Sequence, residues 1–219
     1  MKKQMFLLLA LLGYVAARAQ VPFEKLDSLS VIVSQWQKMT DGTTYKDAKN
    51  ALHSLSFPEE NFKIWSSDRL ASMAVYKQSG DTDLLWLTEN IDLTKATGIS
   101  VSENHFGVAY IKVDFPEGHL QTQIYADGAL RETISPSYLE FFCRYGALDP
   151  NKKFYFDLMF DMVYAICHMM RYEKGLTNLE AMTAELTDFQ NLPPQAFIAK
   201  HPQSLLVAQA QSNLRDAGK

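Results

Sequence analysis

The hydrophobic period of this chain changes twice, from steps of three and four to steps of two near Phe62 and back again near Pro136. That switch restricts the fold to a sheet flanked by helices, because each period belongs to one kind of element. Ahead of the first change, Phe23, Leu26, Leu29, Val33 and Trp36 form one apolar stripe, with Glu24, Lys25, Asp27 and Gln37 on the polar side. The spacing predicts an amphipathic helix over 23–39. Thr40-Asp41-Gly42-Thr43 interrupts it, and 45–55 reads as a second, shorter helix ending before Pro58.

Between the two changes, alternation and glycine-containing turns at Gly80, Gly118 and Gly128 predict antiparallel strands. In 108–115, Ala109, Ile111, Val113 and Phe115 share one face while Val108, Tyr110, Lys112 and Asp114 share the other. The segments 120–126 and 129–134 flank Asp127-Gly128, a dipeptide suited to a two-residue type I′ hairpin turn. Further strands are predicted at 70–78, 84–91 and 99–102, with a shorter one at 62–66. After Pro136 helices are predicted at 137–145, at 154–172 and, opened by a Thr177-x-x-Glu180 capping box, at 177–189.

The expected fold class is α+β: a curved antiparallel β-meander of about six strands, a half-barrel flanked by N-terminal and C-terminal helices. Its order of strands followed by a helix is similar to that of pleckstrin-homology-like barrels, a likeness of architecture that transfers no function.

Residues 1–19 read as a signal peptide: Lys2 and Lys3, an apolar run from Met5 to Val15, then Ala17-Arg18-Ala19 ahead of Gln20. The run is about half the roughly 20 residues a membrane-spanning helix needs. The expectation is an exported protein, periplasmic or secreted, with a single domain over 20–190 and a mobile tail over 191–219 that holds at most a weak helix over 203–214. Removing the leader takes away Lys2, Lys3 and Arg18 and leaves 18 basic residues against 25 acidic ones. An acidic chain without a basic run argues against nucleic acid or an anionic membrane as partner. No Asn-x-Ser/Thr acceptor occurs, which points toward a bacterial envelope. In 154–172 the apolar run is interrupted by Asp157, Asp161 and His168, so no transmembrane segment is expected in the mature chain.

Cys143 and Cys167 are the two cysteines. Export is compatible with a disulfide between them, and burial as two small hydrophobes is the other reading.

The candidate chemistry lies on the long helix, where Asp157, Asp161, Tyr164, His168, Arg171 and Tyr172 fall within about a third of the circumference at 100° per residue. Asp157, Asp161 and His168 are the catalytic candidates, and Tyr164 and Tyr172 are candidates for ligand contact. Such a stripe suits acid–base chemistry if it faces a cleft and is a solvent edge if it does not. His53, His105, His119 and His201 form no cluster in sequence, and Asp81-Thr82-Asp83 lacks the later ligands of a calcium loop. No phosphate loop, dinucleotide fingerprint, nucleophile elbow or metal-binding motif occurs, so neither metal nor cofactor is expected. The expected function is an exported, non-enzymatic binding or interaction protein, taking a small apolar ligand against the Met-rich helix or an envelope protein; the alternative is an envelope hydrolase using Asp161 and His168.

Overall fold

A computed structural model describes residues 24–46, 52–65, 70–79, 82–103, 109–143, 153–171 and 179–217. The leader, Tyr172 and the Thr177 cap lie outside these residues. The larger of two antiparallel sheets is built from β1 (Thr44–Lys46), β2 (Leu52–Ser56), β3 (Phe62–Trp65), β4 (Leu70–Ser79), β5 (Thr82–Ile91), β8 (Thr122–Ala126) and β9 (Ala129–Ile134). Its order is β1-β2-β4-β5-β8-β9, open at both ends, and β3 shares one edge of β4 with β2. The smaller sheet places β7 (Ala109–Asp114) between β6 (Gly98–Glu103) and β10 (Tyr138–Cys143). Together they make the expected open, curved α+β meander.

Alternation fixes which way each strand faces. Ala71, Met73, Val75 and Lys77 of β4 are buried, and so are Thr122, Ile124 and Ala126 of β8, while the residues between them are only half-buried. A one-residue slip would turn each of these rows out to water, so the register is strongly specified. The expected hairpin forms at Asp127 (φ 52°) and Gly128 (φ 75°), both left-handed as a type I′ turn requires.

Among the described residues there are five helices: α1 (Glu24–Lys38), α2 (Lys153–Arg171), α3 (Leu179–Asn191), α4 (Pro194–Lys200) and α5 (Val207–Ala217). Among the described residues no helix is long and apolar enough to cross a membrane. Helix α1 lies on β3 and β10. Its Gln37, expected on the polar face, is fully buried: its Nε2 donates to Asn61 Oδ1 (2.8 Å) and its Oε1 accepts from the Phe142 amide (3.1 Å). Ser34 Oγ donates to the Phe62 carbonyl (2.7 Å) and accepts from the Phe62 amide (2.9 Å). These side chains satisfy polar groups that the helix–sheet contact removes from water.

Two predicted helices are strands. Over 45–55 the spacing of Leu52 and Leu55 imitates a helical step, but His53, Leu55 and Phe57 are buried, at a period of two, and among the described residues of this segment β1 pairs with β2. Over 137–145 the chain forms β10, where Leu139, Phe141 and Cys143 enter the main core and Phe142 a second cluster with Leu55, Phe57 and Val75. A strand buried on both faces shows no alternation, which explains the misreading.

The expected mobile tail is also corrected, since 194–217 carries α4 and α5. Phe197, Leu205, Leu206 and Ala210 are buried in the main core. The Ile99 amide donates to the Leu205 carbonyl (2.7 Å) and the Val101 amide to Gln209 Oε1 (2.6 Å), so this arm covers the outer edge of β6. A Cβ on Gly98 would stand 3.1 Å from that of Ala208, which is why the smallest residue sits where α5 approaches the sheet.

Both cysteines are buried as unbridged thiols, Cys143 ending β10 and Cys167 inside α2. Burial pushes the Cys167 thiol up to about 12, partly opposed by the nearby Arg171 charge. The thiolate is the reactive form, so iodoacetamide at mildly alkaline pH is expected to leave Cys167 unmodified in native protein and to alkylate it in denaturant without reductant. Failure to label in denaturant until a reductant is added would instead reveal a disulfide, read by mass spectrometry.

Candidate functional site

The long helix was the expected site, and the structure divides its stripe. Tyr164 and His168 are buried, their rings 5.5 Å apart, whereas Asp161 and Asp157 are half-buried, one and two turns before Tyr164. Seven residues separate Asp161 from His168, a rise of about 10.5 Å along a helix. A cavity of about 360 Å³ opens beside His168, Arg171, Glu185, His201 and Ser204, and neither aspartate lines it.

The acid beside His168 is Glu185 of α3. Glu185 Oε1 accepts the Tyr164 hydroxyl (2.6 Å) and the Ser204 hydroxyl, and Ser204 Oγ in turn accepts the Leu206 amide (3.0 Å). Arg171 donates from Nη2 to the Ala96 carbonyl (2.8 Å). Asp188 accepts from Lys200 Nζ and His201 Nε2, each at 2.7 Å, and these bonds lower its pKa. Burial lowers the His168 pKa; Glu185 opposes this and Arg171 adds to it, so the imidazole is uncharged at neutral pH. The polar groups around the cavity thus tie α2, α3 and the 201–206 turn together. Among the described residues no three His, Cys, Asp or Glu side chains converge as a metal site.

The buried Met159, Met162, Met169 and Met170 belong to the main core, and none lines the cavities at His168, Leu85 or Leu87. A small apolar ligand against the Met-rich helix therefore finds no opening at those three places.

A second place was not anticipated: the outward face of the larger sheet. The inward row of β4, β5 and β8 packs on the core, leaving Ala74, Tyr76, Leu85, Leu87, Gln123 and Tyr125 on the opposite side. The described helices pack elsewhere, α1 on β3 and β10, α2 on β7, and α5 on β6. At one margin Trp65 is 46% exposed and at the other Leu130 is 53% exposed. Two openings follow the cross-strand pairs. One, about 440 Å³, is lined by Tyr76, Asp83, Leu85, Tyr125, Asp127 and Gly128; the next, about 250 Å³, includes Leu87, Glu89, His119 and Gln123. Leu85 pairs with Tyr125 and Leu87 with Gln123, so the openings are consecutive steps of one trough. The signal for this face was the alternation of β4 and β8, which marks an outward row as clearly as an inward one.

The chain matches no protein family, no curated protein and no solved structure.

Proposed function

We propose that this is an exported, non-enzymatic binding or interaction protein of a bacterial cell envelope, and that it meets a protein partner through the outward face of the larger sheet. The observation that supports this is the half-exposed row of Tyr76, Leu85, Leu87 and Tyr125, with no described helix laid across it. The Tyr76 and Tyr125 rings and the Leu85 and Leu87 side chains give a partner apolar area to cover. The strand edge is a poorer docking element than the face. β9 is exposed on both sides, carries Arg131 and Glu132, and joins β8 through an irregular register, features that discourage edge-to-edge pairing. The alternative, an envelope hydrolase using Asp161 and His168, has less support, because Asp161 does not line the cavity at His168 and Ser204 is bonded to Glu185 and Leu206.

The test is in-cell photocrosslinking with benzoylphenylalanine introduced singly at Leu85, Tyr125, Val31 or Lys200. The expected result is one discrete adduct, in the exported fraction, from Leu85 and Tyr125 and none from the two helix positions. Adducts from the helix positions alone, or no adduct from the sheet, would reject this face.

A further inference from the structure

The proposed surface has a polarity that narrows its occupant. Leu84 pairs with Ala126, and Asp83 precedes the one while Asp127 follows the other, so both acidic residues lie at the same end of the trough. Both carboxylates line the 440 Å³ opening beside the Tyr76 and Tyr125 rings, and among the described residues neither is in an ion pair. Among the described residues neither opening is lined by a lysine or arginine, and the second contributes Glu89. From Asp83 to Glu89 the chain advances six residues, about 20 Å in a strand. An occupant that reaches both ends must be elongated. The two openings are one cross-strand pair apart, about 7 Å, which is the repeat of alternate side chains in an extended peptide.

Resting on the reading of this face as the interaction surface, we propose that the trough takes an extended segment of a partner protein with a lysine or arginine seated between Asp83 and Asp127 against Tyr76 and Tyr125. A cation there is attracted by both carboxylates and lies against aromatic rings, which attract it as well. Apolar side chains of the same segment cover Leu85 and Leu87. Complementary charge fixes the direction of the segment as well as its affinity.

The experiment uses three probes: a blocked hexapeptide Lys-Ser-Val-Ser-Val-Ser, which when extended puts the lysine and both valines on one face, the same peptide with glutamate for lysine, and chitotetraose as a neutral sugar able to stack on tyrosine. Amide shifts of the isotopically labelled protein report where each binds. The lysine peptide is expected to shift amides of β5 and β8, to weaken with added salt, and to lose about tenfold in affinity in Asp83→Asn/Asp127→Asn. Asparagine tolerates the left-handed backbone at 127, so the turn is kept; well-dispersed amide signals confirm the fold. Equal binding of the lysine and glutamate peptides, no binding of the lysine peptide, or an unchanged affinity in the double variant overturns the cation site. If the glutamate peptide or the sugar shifts the same amides instead, the face survives as an interaction surface of different chemistry. If the sheet crosslinks also fail, the face itself falls.

Discussion

Replacing Phe197 with alanine is expected to destabilise the protein by about 3–5 kcal/mol, the range for emptying the site of a buried phenylalanine. Phe197 is fully buried on a seven-residue helix, its ring 5.2 Å from that of Phe189 and 5.0 Å from that of His201. It holds α4 against α3, and Leu205 and Leu206 continue the contact into the main core. Urea unfolding of wild type and variant measures the effect through the shift in midpoint. A loss below about 1 kcal/mol would mean that the arm does not pack as described. Leu130→Ala, at a residue 53% exposed, is the control and should change stability by no more than about 0.5 kcal/mol.

The second large effect is expected at Lys77. This lysine occupies an inward position of β4 between the two sheets, its side chain 5% exposed, with Nζ 3.1 Å from Glu140 Oε2 and 4.2 Å from the centre of the Trp86 ring. Taking both charges out of water costs several kcal/mol, which their attraction and added contacts must offset. Glu140→Leu removes the carboxylate from a buried ammonium and is expected to cost about 3–5 kcal/mol. Adding Lys77→Met should recover most of that loss, because the site then holds two apolar side chains of similar size. Thermal and urea unfolding of the single and double variants decide it. A double variant as unstable as the single one would show that the ammonium is needed for more than its pairing.

The sequence was most legible where one face of an element meets the core and the other meets water. Helix α1 and the alternating β4, β7 and β8 all fall in that class. It was misleading where both faces are buried, as in β10, whose Phe141 and Phe142 enter different clusters. The C-terminal arm was missed because its contacts are few and large. Phe197, Leu205 and Leu206 lie among Gln, Ala and Pro residues whose composition resembles a solvated tail. Of the expected site, His168 and Tyr164 do come together beside a cavity, but the acid that joins them is Glu185, on another helix. Asp157 and Asp161 share the helix face without sharing the cavity, and Tyr172 lies outside the described residues. Asp83 and Asp127 looked like two unrelated turns because their juxtaposition depends on the pairing of β5 with β8, which no local pattern reports.

The sealing of the β6 edge by residues near the C-terminus has a consequence for the order of assembly. The amides of Ile99 and Val101 find their acceptors more than a hundred residues later in the chain, at Leu205 and Gln209. During synthesis or passage through a narrow channel, these acceptors emerge last. Until then the small sheet has an open edge and the main core lacks Phe197, Leu205 and Leu206. The native state is therefore reached only once Gln209 has been made, and a chain stopped short of Leu206 presents a strand edge that chaperones or proteases can engage.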